Sequence, residues 1–134
     1  MANKHPNLEL LERGVAAFAA HDLVTLTQLF SQDLLWHYGG TSELAGDYDG
    51  IDAVFALFAR RAMMTGETYT FEPDEAVADS CFVTVLAKVS ARGGGRTYED
   101  RHCVVYRLAD GKVVEAWHHP ARPELEADFY RGLP

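Results

Sequence analysis

Cysteine is scarce in this chain: Cys81 and Cys103 are the only two among 134 residues, and both sit in apolar, strand-like runs. No CxxC or other metal-ligand spacing is formed, so neither a disulfide framework nor a zinc site organises the fold. Two buried free thiols in a reducing, cytoplasmic compartment are the expectation. Long apolar runs are missing too. No stretch approaches the roughly 20 residues of a membrane span, and MANKHPNLEL at the start has no apolar signal-peptide core. Positive charge is in short supply, with 12 Lys and Arg against 20 Asp and Glu for a net −8. That balance argues against nucleic acid, whose phosphates need a basic face, and against an anionic membrane surface. A phosphate-binding loop is also absent, because Gly93-Gly94-Gly95 lacks the following helix and the Lys-Ser/Thr pair.

What is present is an ordinary globular composition, 48% hydrophobic and 24% charged, in a length that suits one domain spanning residues 1–134. Asn7 is placed to cap a first helix with Leu8, Leu11, Val15 and Phe18 at helical spacing. Asp22 caps a second, short one. Leu34–Tyr38 reads as a strand ended by Gly39-Gly40, and the polar TSELAGDYDG that follows reads as turns. Asp49 then caps a third helix, with Ile51, Val54, Phe55, Phe58 and Ala62 on one stripe, ending at Thr65-Gly66.

Beyond Gly66 the hydrophobic period switches from 3.6 to 2. Thr68–Val77 is a strand interrupted by Pro73, which predicts an edge or a bulge. Cys81–Arg92 is longer. Tyr98–Leu108 and Lys112–His119 form a hairpin through Asp110-Gly111, since Gly tolerates the positive φ of a tight turn. Pro123 opens a last helix whose inner face is predicted to carry Leu125 and Phe129. Helices first, one strand among them, then a meander of antiparallel strands makes an α+β layout.

Alternation places Tyr98, Asp100, His102, Val104 and Tyr106 on one face of the central strand. Two aromatics, an acid and an imidazole are odd company for a plain core, and the face reads as a cavity wall. A bulge between Tyr98 and Val104 would swap the faces and bring Arg101 inward.

The segments DLLWHYGGTSELAGDYDG, Thr65-Gly66 leading into a strand, and YRLADGKVVEAW resemble the nuclear transport factor 2-like superfamily in its SnoaL-like branch. That branch holds relatives of polyketide cyclases and ketosteroid isomerases. The resemblance covers nearly the whole chain. It implies a cone-shaped, curved, mainly antiparallel sheet wrapped around the N-terminal helices, a cystatin-like α+β barrel with a pocket at its open end. It also implies a homodimer. Members range over isomerases, cyclases, hydrolases, dehydratases and pockets without a known reaction, so fold does not select the chemistry. By this resemblance His37 sits at or beside the position where steroid isomerases keep their carboxylate base. The second acid would fall near Val104, which cannot donate a hydrogen bond. The isomerase constellation is therefore absent as such, and the Asp-Arg-Asp set of epoxide hydrolases has no evident match.

The candidate catalytic residues are His37, Asp100 and His102. An imidazole titrates near neutral pH, and a carboxylate two residues away on one face can polarise it. The bland alternatives are a strand histidine bonded to a carbonyl and a cross-strand polar pair. Trp36, Tyr38, Tyr98 and Tyr106 are candidates to stack on a flat ligand, although each also suits plain core. Of Trp117, His118 and His119, alternation lets His118 face one way and the other two the opposite way, with the pocket side left open. No metal and no cofactor are called for. Two functions follow: a cofactor-free isomerase, cyclase or hydrolase using histidine and aspartate on an apolar or polycyclic molecule, or a binding pocket without chemistry. The apolar Val83, Val85, Ala87, Cys103, Val105 and Trp117 are assigned to the outer, dimer-forming face of the sheet.

Overall fold

The computed structural model describes residues 5–134. In chain order the elements are α1 (Pro6–Ala19), α2 (Leu23–Leu29), β1 (Phe30–Tyr38), β2 (Gly46–Asp49), α3 (Ile51–Met64), β3 (Thr70–Ala78), β4 (Phe82–Gly93), β5 (Arg96–Ala109), β6 (Lys112–Pro120) and α4 (Pro123–Tyr130). The α+β layout is observed. Asp22 caps α2 as its sequence predicts, accepting from Thr25 N at 3.1 Å and Thr25 Oγ1 at 2.6 Å. The cap of α1 is His5 rather than Asn7: its Nδ1 accepts from Asn7 N at 3.1 Å, and Pro6 fills the first helical turn, where a missing N–H costs nothing.

One sheet runs in the order β2-β1-β6-β5-β4-β3. β1 and β6 are parallel and every other neighbouring pair is antiparallel. The sheet is curved and unclosed, with β2 and β3 as its edges. β2 corrects the reading of TSELAGDYDG as turns alone, since Gly46–Asp49 pairs with Leu35–Tyr38. An edge strand facing water needs little hydrophobicity, so nothing in its composition announced it. Asp49 is consumed by that strand, and Gly50 becomes the N-cap of α3 with φ 95°, a turn open to a residue without Cβ. β3 is an edge strand with a register shift between Pro73 and Glu75, as Pro73 required. At the Asp110-Gly111 turn both residues have positive φ, 53° and 76°, the geometry that matches the twist of the flanking strands.

The helices cover the concave face. α1 packs on β3 and β4, α2 on β1 and β6, α3 on β1 and β2, and α4 on β5 and β6. Inward residues of β4 are Val83, Val85, Ala87, Val89 and Ala91, all buried. This corrects the placement of Val83, Val85 and Ala87 on the outer face: they pair in register with Tyr106, Val104 and His102 of β5, and cross-strand partners share a side. The outer apolar positions are instead Phe82 and Leu86, beside Cys103, Val105 and Trp117. Cys81 is exposed, not buried as expected, because it precedes β4 in a turn held by Asp79. On α4, Leu125 is 40% exposed while Glu126, Phe129 and Tyr130 are buried. The helix is rotated so that Phe129 stacks on Tyr98 at 5.4 Å, which turns Leu125 outward. Among the described residues no helix is long and apolar enough to cross a membrane.

Candidate active site

Between the concave face and helices α1 to α3 lies a cavity of about 80 Å³, walled largely by apolar side chains and including Phe30, Trp36, Phe58, Arg61, Tyr69 and His118. A water needs roughly 10–15 Å³ measured this way, so the space admits a small organic molecule.

Behind His118 a chain of buried polar groups runs across the sheet. His118 Nε2 lies 2.6 Å from His102 Nδ1, and His102 Nε2 lies 2.9 Å from Tyr98 Oη. Tyr98 donates its hydroxyl proton to Asp100 Oδ2 at 2.7 Å. Asp100 also accepts from Arg101 N at 2.7 Å and Arg122 N at 3.1 Å. Strand geometry makes this chain possible. Tyr98, Asp100 and His102 are successive inward residues of β5, and His118 of β6 is the register partner of Val104.

The direction of the protons follows from Asp100. Burial pushes its carboxyl up, but the hydrogen bonds from Tyr98, Arg122 and Arg101 outweigh burial and hold its pKa below the ordinary value. As a carboxylate it only accepts, so Tyr98 gives it the hydroxyl proton and must receive from His102 Nε2–H. His102 is then left with a bare Nδ1, which receives Nε2–H of His118. His118 Nδ1 is thereby a lone pair, and it is buried without a hydrogen-bond partner. Burial lowers the pKa of His102 to about 4 against the pull of Asp100. Burial, His102 and Arg61 together hold His118 well below the usual imidazole value. Both rings are neutral at pH 7.

A second acid closes the cluster. Glu126 Oε2 accepts from Tyr38 Oη at 2.6 Å and lies 3.7 Å from His102 Nε2. Burial raises its pKa to about 7, well above the usual carboxyl range. Tyr38 stacks on the His118 ring at 4.5 Å and fixes its plane.

Of the residues singled out from sequence, Asp100, His102, His118, Tyr98 and Tyr38 form this one buried cluster, and Trp36 and Tyr106 line the cavity beside it. His37 does not join them, which corrects its expected position in the pocket. In β1 Trp36 and Tyr38 point inward, so His37 points out. There its Nδ1 and Nε2 each lie 2.7 Å from a carboxylate, Asp47 and Glu115, and its ring stacks on Trp117 at 5.7 Å. Trp117 is on the outer face as well, which decides the alternative left open between it and His118: His118 faces the cavity, and Trp117 is not a ligand-side residue. His119 is exposed. Within β6, Val113, Ala116 and His118 all face inward because the register with β5 shifts between Arg107 and Leu108. Met63 is exposed and Met64 is core.

Sequence reasoning missed Arg61 and Glu126. Arg61 is 3% exposed and falls on the buried stripe of α3 with Val54, Leu57 and Met64. A cation at that helical spacing was the available signal. For Glu126, the position one turn before Tyr130 on the inner face of α4 was the only hint.

Comparison with known proteins bears on this arrangement. The family model of the SnoaL-like domain matches residues 11–116. Bal32a, from a soil-derived mobile gene cassette, superposes with a TM-score of 0.89 at 32% identity, over 93% of this chain and 96% of that one. A protein of unknown function with a cystatin-like fold from Xanthomonas campestris superposes with a TM-score of 0.85 at 22% identity, over 92% and 96%. An uncharacterised protein of Mycobacterium tuberculosis is 27% identical over 125 residues, 92% of this chain and 95% of that protein.

Proposed function

Because the chain belongs to the SnoaL-like domain family, matched over residues 11–116, we propose that it is a cofactor-free enzyme that moves a proton on a small, largely apolar molecule. The observation that carries this reading is His118 Nδ1, a buried lone pair without a partner on a residue that lines the cavity, backed by a one-way hydrogen-bond chain. His118 is the base. When it takes a proton at Nδ1, its Nε2–H can pass to His102 as His102 Nε2–H passes to Tyr98 and the tyrosine proton to Asp100. The new positive charge is thus spread toward a carboxylate instead of stranded in an apolar wall. His102, Tyr98 and Asp100 act through His118 and are positioning residues. Trp36 and Tyr106 hold the substrate, and the chemistry is of the kind isomerases and cyclases use, in which a carbon acid is deprotonated and reprotonated.

Deuterium exchange tests this. Wild-type protein is incubated in heavy water with a panel of small enolisable ketones and esters, and label uptake is read by mass spectrometry. Exchange above buffer that falls about a hundredfold or more in His118→Gln supports the reading, general-base catalysis being worth roughly 10²–10⁴. Exchange above buffer that is unchanged in His118→Gln refutes His118 as the base, and exchange no higher than buffer with any substrate leaves a binding pocket without chemistry.

The outer face carries a second proposal. Phe82 and Leu86 are exposed, with Cys103, Val105 and Trp117 half-buried around them. This apolar patch supports a homodimer through the convex sheet, and light scattering at tens of micromolar that reports a monomer would count against it. The two free thiols accord with a cytoplasmic location.

A further inference from the structure

Four lining residues of the cavity carry a buried polar atom with no hydrogen-bond partner: Trp36 Nε1, Arg61 Nη1, Tyr69 Oη and His118 Nδ1. Three of these are donors. Native interiors rarely leave one such atom unsatisfied, and four around a single cavity mark the place of an absent partner. Its charge is set by Arg61. The guanidinium is always protonated, it is 3% exposed, and although the Glu126 carboxyl lies near enough to feel its charge, no ion pair to it forms among the described residues. What surrounds it is aromatic. Its Cζ lies 3.9 Å from the Tyr69 ring centroid, 5.3 Å from Phe58 and 5.4 Å from Phe18. Those rings favour the cation over its face, and the Tyr38 hydroxyl oxygen is within hydrogen-bonding reach of the guanidinium, yet Nη1 is left without an acceptor. Trp36 packs edge-on against the same Phe58, at 5.4 Å, so the indole and guanidinium donors flank one ring.

We propose that the substrate or ligand of this pocket is a small carboxylate with an apolar body. The carboxylate sits on Arg61 with Trp36 and Tyr69 as supporting donors, and the body lies toward Phe30 and the leucines of α1 and α2. The planar guanidinium matches a carboxylate better than a point charge would. This rests on the pocket being the working site proposed above, and it adds the chemical class of what enters. The acidic surface does not conflict with it, because the recognition charge is inside.

Binding of benzoate, phenylacetate and 3-methylbutanoate, each against its primary amide, tests the assignment by calorimetry and by the indole N–H shift of Trp36. Wild-type protein should prefer each acid over its amide by tenfold or more. Arg61→Met, which keeps an unbranched apolar chain in the aromatic box, should erase the preference, and Arg61→Lys should retain part of it. If Arg61→Met fails to fold, Tyr69→Phe and Trp36→Phe serve instead, each lowering acid affinity severalfold with little change for the amide. Equal affinity for acid and amide overturns the proposal. So does absence of binding by every acid, with ordered waters on the four atoms in a crystal structure. His118→Gln separates the two readings: loss of exchange with acid preference intact supports both, whereas acid preference without any His118-dependent exchange removes only the catalytic one.

Discussion

His37 and His118 sit on neighbouring parallel strands, one register step apart, since His37 lies opposite Trp117 and Tyr38 opposite His118. Their surroundings are opposite in every respect that matters to an imidazole. The His37 side chain is 26% exposed and held between two carboxylates, and its hydrogen bonds to Glu115 first and Asp47 second raise its pKa. His118 is 2% exposed, faces another imidazole, and has its pKa driven down by burial. The outer histidine has its charged form favoured by a lattice of carboxylates that includes the Arg107-bound Glu115. The inner one is a neutral base. Residue type therefore says little about role here, and the side of the sheet says most of it: a dry wall penalises charge, while a rim of carboxylates rewards it.

The comparison breaks most visibly at Asp100. Asp100→Ala leaves Tyr98 Oη, Arg101 N and Arg122 N without their acceptor, and at about 1 kcal/mol for each the loss in urea unfolding should be about 3 kcal/mol. Glu115→Ala, the matching deletion outside, should stay under about 1 kcal/mol, as partly exposed pairs do.

Acid separates the two sides next. His102 has a folded pKa of about 4 against an ordinary 6.5, so stability falls as pH drops from 6.5 toward 4, on the order of 3 kcal/mol from this group. His118 adds in the same direction. Glu126 opposes them, because its pKa is raised from 4.5 to about 7 and its contribution is lost as pH rises through that window. Glu126→Gln should therefore steepen the acid limb of the stability profile between pH 7 and 4.5 and flatten its neutral end, as read by urea midpoints across pH. His37, with a raised pKa, contributes stability that is present at low pH and fades above 6.5.

Nitrogen-15 NMR sharpens the contrast without unfolding anything. At pH 5.5 the His37 ring should be a cation and the His118 ring neutral with a bare Nδ1. Asp47→Asn should lower the His37 midpoint and leave His118 where it is. A His118 signal showing protonated Nδ1 at that pH would contradict the tautomer chain. The smallest effect belongs to His37→Gln, expected to alter stability by under about 1 kcal/mol and proton exchange by nothing measurable.

Most of the layout was legible because its signals are local. Asp22 followed by Leu23, Leu26 and Leu29, Pro73 inside a strand, and Asp110-Gly111 between alternating runs each act through neighbours a few residues away. The inward set Tyr98, Asp100 and His102 was legible for the same reason. β2 was not, since its pairing with β1 comes from position in the sheet and not from composition. The family resemblance placed His37 at the pocket while a short strand leaves its parity open, and in the fold Trp36 and Tyr38 take the inner face.

The sequence by itself determined every element but β2, their order, and, away from the register shift of β6, which residues of each strand travel together, because φ/ψ preferences and period-2 alternation are short-range properties of the chain. Only the tertiary structure decided which of the two faces is the interior. That choice depends on what the helices cover: α1 to α3 close the side of Trp36 and His118, and α4 carries Glu126 to Tyr38 across 88 positions of sequence. It also needed the register shift between β5 and β6 near Val114 and a cation on the buried stripe of α3. A histidine's charge follows from the solvation and partners it meets after packing, and those are sums over residues distant in the chain.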